Sequence, residues 1–173
     1  IIFIVLWSSA FVTTKPIVNN SDPFSALAFR FLFVAIGFFL FSLYEKKKIL
    51  IKKNFLLNSL GTGVLFHGFY LGGVFYSVFV GLPVNVAALI VTLQPVLTNA
   101  LAGKFLNEQV QLQQWLGVML GFIGATLVIG LDIREDLPTD GIIAVVISLI
   151  AITASTIWQK KVSNDVPLSV NNM

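Results

Sequence analysis

Apolar residues in this chain come in long blocks divided by short polar stretches, not in the stripes of an amphipathic surface helix. Six blocks reach or approach the roughly 20 residues a helix needs to cross a hydrocarbon core of about 30 Å. They are Ile1–Thr14, Phe24–Tyr44, Phe55–Phe79, Val84–Gly103, Trp115–Leu131 and Gly141–Trp158, and a seventh begins near Pro167. None alternates polar and apolar positions over about ten residues, as a barrel strand would. The expected fold class is therefore all-α, a polytopic transmembrane helix bundle. The chain opens inside an apolar run without Met and stops at Asn171-Asn172-Met173. It reads as a fragment shortened at both ends, with its first span truncated.

Composition agrees with the pattern. Of 173 residues 57% are hydrophobic and 11% charged, where a soluble domain carries roughly 25% charged residues. Sixteen Phe add aromatic character, and the absence of Cys removes disulfides, thiolate metal sites and Cys nucleophiles. A single His excludes a multi-histidine metal site, and no other metal or cofactor is expected.

Charge then orients the spans. Lys46, Lys47, Lys48, Lys52 and Lys53 separate spans two and three, Lys104 follows span four, and Lys160 and Lys161 follow span six. With alternating spans these eight lysines share one side of the membrane. The other side holds Lys15 and Arg134, with Asp132, Glu135, Asp136 and Asp140 near the latter. The positive-inside rule makes the lysine-rich loops cytoplasmic. The net charge of +3 is thus a topology signal, and no nucleic-acid partner is expected. The partners are the lipid bilayer and a small-molecule substrate, and a homodimer stays open.

A shift of 144 positions aligns Val18-Asn19-Asn20-Ser21-Asp22-Pro23-Phe24-Ser25 with Val162-Ser163-Asn164-Asp165-Val166-Pro167-Leu168-Ser169, so that span six falls on span one. A five-span unit repeated once inverts the second copy, an arrangement common in secondary transporters, whose substrate site lies near the midplane between the copies.

Polar residues inside the spans are the functional candidates. In span three, Ser59, Gly63, His67, Tyr70 and Ser77 share one face by helical spacing. His67 either handles substrate or protons, or hydrogen-bonds a neighbouring helix. Span four carries a stripe of Asn85, Ala88, Thr92, Pro95, Asn99 and Ala102. Pro95 should kink that helix, and Gln94 could satisfy the freed backbone. Arg30 either snorkels to the interface or meets an anionic substrate group. Trp7 adds to a mixed polar face on span one. The small-residue stripe Gly117, Gly121 and Gly124 suits close helix packing, as do Gly68 and Gly72 in span three. The candidate substrate-binding set is thus Trp7, Arg30, His67, Tyr70, Thr92, Gln94 and Asn99, with a cavity built from spans three and four.

These features together resemble the drug/metabolite transporter superfamily, specifically its EamA-type members. The resemblance rests on Trp7, Lys15, Pro23 and Arg30, on His67-Gly68-Phe69-Tyr70-Leu71-Gly72-Gly73, and on Gly81-Leu82-Pro83. Ala87-Ala88-Leu89-Ile90, Leu93-Gln94-Pro95, Glu108 and Trp115-Leu116-Gly117 with Gly121 and Gly124 complete it. It implies ten spans in two inverted five-helix halves, the first over residues 1–131 and the second opening at 141–173. It further implies alternating access in the bacterial inner membrane and export of amino acids or related metabolites. A lipid or glycolipid flippase of the same superfamily is the alternative. No carboxylate lies within a span and no Ser/His/Asp set is apparent, so an enzyme is not expected.

Overall fold

The computed structural model describes residues 2–44, 53–106, 111–129 and 137–162. Among them there are helices and no strands, as expected for a chain whose backbone must satisfy itself within lipid. Six helical passages follow one another. The first two are α1 (Ile2–Asn20) and α2 (Pro23–Tyr44). The third joins α3 (Lys53–Gly63), a π-helical segment (Val64–Leu71) and α4 (Gly72–Phe79). The fourth joins α5 (Val84–Val91) to α6 (Gln94–Leu106), and α7 (Leu112–Ile129) and α8 (Thr139–Val162) complete the set. By length and composition, four passages can cross a membrane: Pro23–Phe41, Leu56–Phe79, Val84–Leu106 and Thr139–Lys161. The lysines at 46–48 and 52, Glu108, Arg134 and the seventh block near Pro167 lie outside the described residues.

Local chemistry sets the boundaries. α1 runs six residues beyond the apolar block, to Asn20. There the Asn20 side chain donates to the Pro16 carbonyl at 2.8 Å and the Ser21 hydroxyl to the Ile17 carbonyl at 2.9 Å, satisfying the terminal acceptors. Asp22 then caps α2 by accepting the Ser25 N–H at 2.8 Å, with Pro23 at the first helical position. α4 ends at Gly81 with φ +99°. Leu82 N–H reaches back to the Ser77 carbonyl at 2.9 Å and Gly81 N–H to that of Val78 at 3.1 Å, the Schellman pattern. A side chain at 81 would be strained there, which is why the turn is Gly81-Leu82-Pro83.

The fourth passage is broken at Thr92–Leu93, just before Pro95, which has no N–H to give to Val91. Leu93 N–H bonds instead to the Ile90 carbonyl at 3.1 Å, tightening the turn.

α8 fills the middle of the bundle. It packs along α3, the π segment and α4, and also along α5 and α6. Its contacts with the third passage form an antiparallel ladder. The Trp158 ring lies over Gly61, Ser155 donates to the Thr62 carbonyl at 3.0 Å, and Ser148 sits on Gly73. Gly141 approaches the Ser77 carbonyl at the far end, where a Cβ would stand 3.2 Å from it. The antiparallel sense of passages three and six agrees with two crossings between them. The buried core joins Val18, Leu27, Tyr70, Phe75, Leu82, Ala87, Val145 and Ile152, and among the described side chains none of α7 belongs to it.

Candidate functional site

α2 and the third passage run antiparallel along a seam of aromatic contacts. A Cβ at Gly72 would lie 3.6 Å from the Phe24 ring. Phe24 stacks on Tyr76 with centroids 6.4 Å apart, and Phe31 meets His67 at 4.5 Å. Further along, Phe38 of α2 and Leu60 of α3 are exposed, and both line a cavity of about 830 Å³ between α1, α2 and the third passage. That volume falls in the range that holds a small organic ligand.

The walls are mostly Phe, Val and Leu side chains, with five polar groups among them: Thr14, Arg30, Ser59, His67 and Tyr70. His67 is clamped between two rings, Phe31 on α2 and Phe66 on its own segment, the latter edge-on at 5.1 Å. Phe66 also meets Tyr70 edge-on at 5.3 Å. Arg30 lies near enough to His67 and Tyr70 for its charge to act on both. Among the described residues no carboxylate comes within salt-bridge distance of Arg30. Thr14 donates its hydroxyl to the Ala10 carbonyl at 2.7 Å, whereas the buried Ser59 Oγ has no hydrogen-bond partner among the described residues.

His67 and Tyr70 both stand on the π segment. A π turn is wider than an α turn and is found mainly at functional sites. It also changes the phase of the helix. Ser59, Gly63, His67 and Tyr70 line the cavity, whereas Ser77, assigned to the same face by α-helical spacing, is fully buried and donates to the Val74 carbonyl at 2.7 Å.

The remaining candidates stand elsewhere. Gln94 donates from Nε2 to the Thr156 hydroxyl at 3.1 Å and so ties the broken fourth passage to α8. Thr92 donates to the Leu89 carbonyl at 2.6 Å. Neither of them nor Asn99 lines the cavity, which is built on passages one to three and not on three and four. Trp7 falls within α1, and its side chain lies outside the described set. A Cβ at Gly117, Gly121 or Gly124 would meet nothing within 4 Å, and one at Gly68 only its own helix's Val64. The expected helix-packing role falls instead to Gly61, Gly73 and Gly141, with Gly72 touching Phe24. Sequence reasoning missed Phe31, Phe66 and the role of Ser59. The signal for the first two was their position beside Arg30 and His67. Among the described residues no group of three His, Cys, Asp or Glu could hold a metal ion.

Comparison with known proteins places this geometry. At 24% identity over 168 residues the chain resembles a probable amino-acid metabolite efflux pump of Salmonella typhimurium. The match takes in 96% of this chain and 54% of that protein, so the chain spans about half the length of this curated relative. No solved structure matches. The model of the EamA-like transporter family matches residues 1–130, which covers α1 to α7 and every residue of the cavity. A multi-pass helical membrane protein with this motif order, the chain belongs to the EamA-like transporter family.

Proposed function

We propose that the intact protein is a secondary transporter that exports small metabolites, amino acids or related compounds, across a bacterial inner membrane by alternating access. The observation that carries this reading is the cavity between α2 and the third passage. The contacts of Phe24 with Gly72 and Tyr76 lie beyond one end of it, and Phe38 and Leu60 stand exposed toward the other. On the orientation given by the lysines, the exposed end faces the cytoplasm and the Phe24 end faces outward. This is the loading state of an exporter. The relative's printed role in amino-acid metabolite efflux supports the cargo class and the direction. The aligned spans one and six support a second, inverted half that completes the cavity.

The test is export from cells. Expression of the intact protein should speed the loss of a preloaded labelled amino acid and raise tolerance to a toxic amino-acid analogue. Cysteines placed at Phe38 and Leu60 should react with an impermeant maleimide in inside-out vesicles and be shielded in right-side-out ones. Unchanged efflux across a panel of amino acids and their deaminated carboxylic-acid analogues, together with labelling from the outside, would remove the reading.

A further inference from the structure

We infer that the cavity selects an apolar monoanion, a carboxylate on an aromatic or branched hydrocarbon body, over the corresponding zwitterion or cation. The inference rests on the transporter reading and narrows its cargo from amino acids to the related carboxylic acids.

The charge inventory comes first. Arg30 is a permanent cation about 10 Å along α2 from its N-terminus, at about 1.5 Å per residue. A guanidinium at that depth is costly unless something answers its charge. Among the described residues no carboxylate does so, and none lines the cavity. An arriving carboxylate would meet a planar fork of donors suited to bidentate binding.

An ammonium group finds no such answer. The other polar side chains on the wall are Thr14, Ser59, His67 and Tyr70, and none carries a negative charge at neutral pH. A zwitterion would therefore place its cation beside Arg30 in an apolar enclosure, losing hydration without a counter-charge. The rest of the ligand would meet phenyl faces, Phe31, Phe38, Phe66 and Phe75 among them. A flat or branched hydrocarbon body would be retained there by burial.

A matched trio isolates the charge: 3-phenylpropionate, phenylalanine and phenethylamine share one body and differ in their ionic groups. Binding to the purified intact protein is read by calorimetry in phospholipid-free maltoside micelles, and transport in proteoliposomes. Phenylpropionate should bind at least tenfold more tightly than phenylalanine, and phenethylamine should not bind measurably. Arg30→Gln should weaken phenylpropionate at least tenfold and erase the discrimination, with Arg30→Lys partly restoring both. A monodisperse gel-filtration peak for each variant keeps folding apart from binding. Equal or tighter binding of phenylalanine would overturn the proposal, and so would phenylpropionate binding that Arg30→Gln leaves intact. So would saturation of the site by an anionic phospholipid that phenylpropionate cannot displace. Selective binding without transport of any of the three would leave the site standing and remove the transporter reading.

Discussion

Ser148 of α8 occupies the space a side chain at position 73 would need. A Cβ built on Gly73 falls against the Ser148 hydroxyl and 2.9 Å from the Ala144 carbonyl oxygen. The hydroxyl could rotate away, but the carbonyl is held in the helix ladder. Gly73→Ala should therefore force α8 outward and cost about 1–3 kcal/mol, the usual range for overpacking. The readout is the apparent Tm of the detergent-solubilised protein. Gly121→Ala, at a position open on every side, should leave it unchanged. Equal Tm values for wild type and Gly73→Ala would show that the two helices do not meet this closely.

The bond from Gln94 to Thr156 links the broken fourth passage to α8. Gln94→Leu and Thr156→Val should each lower stability, and the double variant should lose less than their sum. The coupling expected for such an interhelical bond is about 0.6 kcal/mol. Strictly additive losses would mean that no bond exists in the membrane.

Six helical passages were legible in the sequence because the length of an apolar block reports the helix it forms. The interior of the bundle was not. Val64–Leu71 is about as apolar as α4, which follows it, so nothing in its composition distinguishes a π turn from an α turn. That phase change separated Ser77 from His67. The Gly117, Gly121, Gly124 spacing has the form of a packing stripe, yet the close approaches occur at Gly61 and Gly73. Their partners, Trp158 and Ser148, lie far along the chain, and periodicity carries no information about them. Thr92, Pro95 and Asn99 form a regular stripe only on an unbroken helix, and beside the break at Thr92–Leu93 Gln94 bonds to α8.

Asp22 gives a pH-dependent signature. Its carboxylate accepts the Ser25 N–H, and that bond holds its pKa below the ordinary value. A group with a depressed native pKa contributes stability that is complete above its unfolded pKa and is lost as pH falls through the native one. Asp22→Asn keeps a good cap without the titration. The wild-type advantage in apparent Tm over Asp22→Asn should thus hold at neutral pH, begin to shrink near about pH 4 and disappear only at more acid pH, below the depressed native pKa. A constant difference down to acid pH would exclude the charged cap.

The clamp on His67 separates structure from transport. His67→Phe keeps a ring between Phe31 and Phe66, contacts worth about 0.5–1.5 kcal/mol each, and removes the nitrogens. Its apparent Tm should match wild type while export falls. His67→Ala should lower both. Wild-type export by His67→Phe across pH would remove the imidazole from substrate or proton handling.

The central position of α8 has a consequence for biosynthesis. The groove over Gly61 and Gly73 and the side chain of Gln94 belong to passages synthesised well before the helix that covers them. Until α8 leaves the ribosome and inserts, the Thr62 carbonyl lacks its donor Ser155, and the amide of Gln94 faces lipid or a caretaker protein. Assembly of passages three and four therefore waits on a helix that follows them in the chain. Truncation ahead of Thr139 should yield spans that insert but remain substrates for membrane quality control.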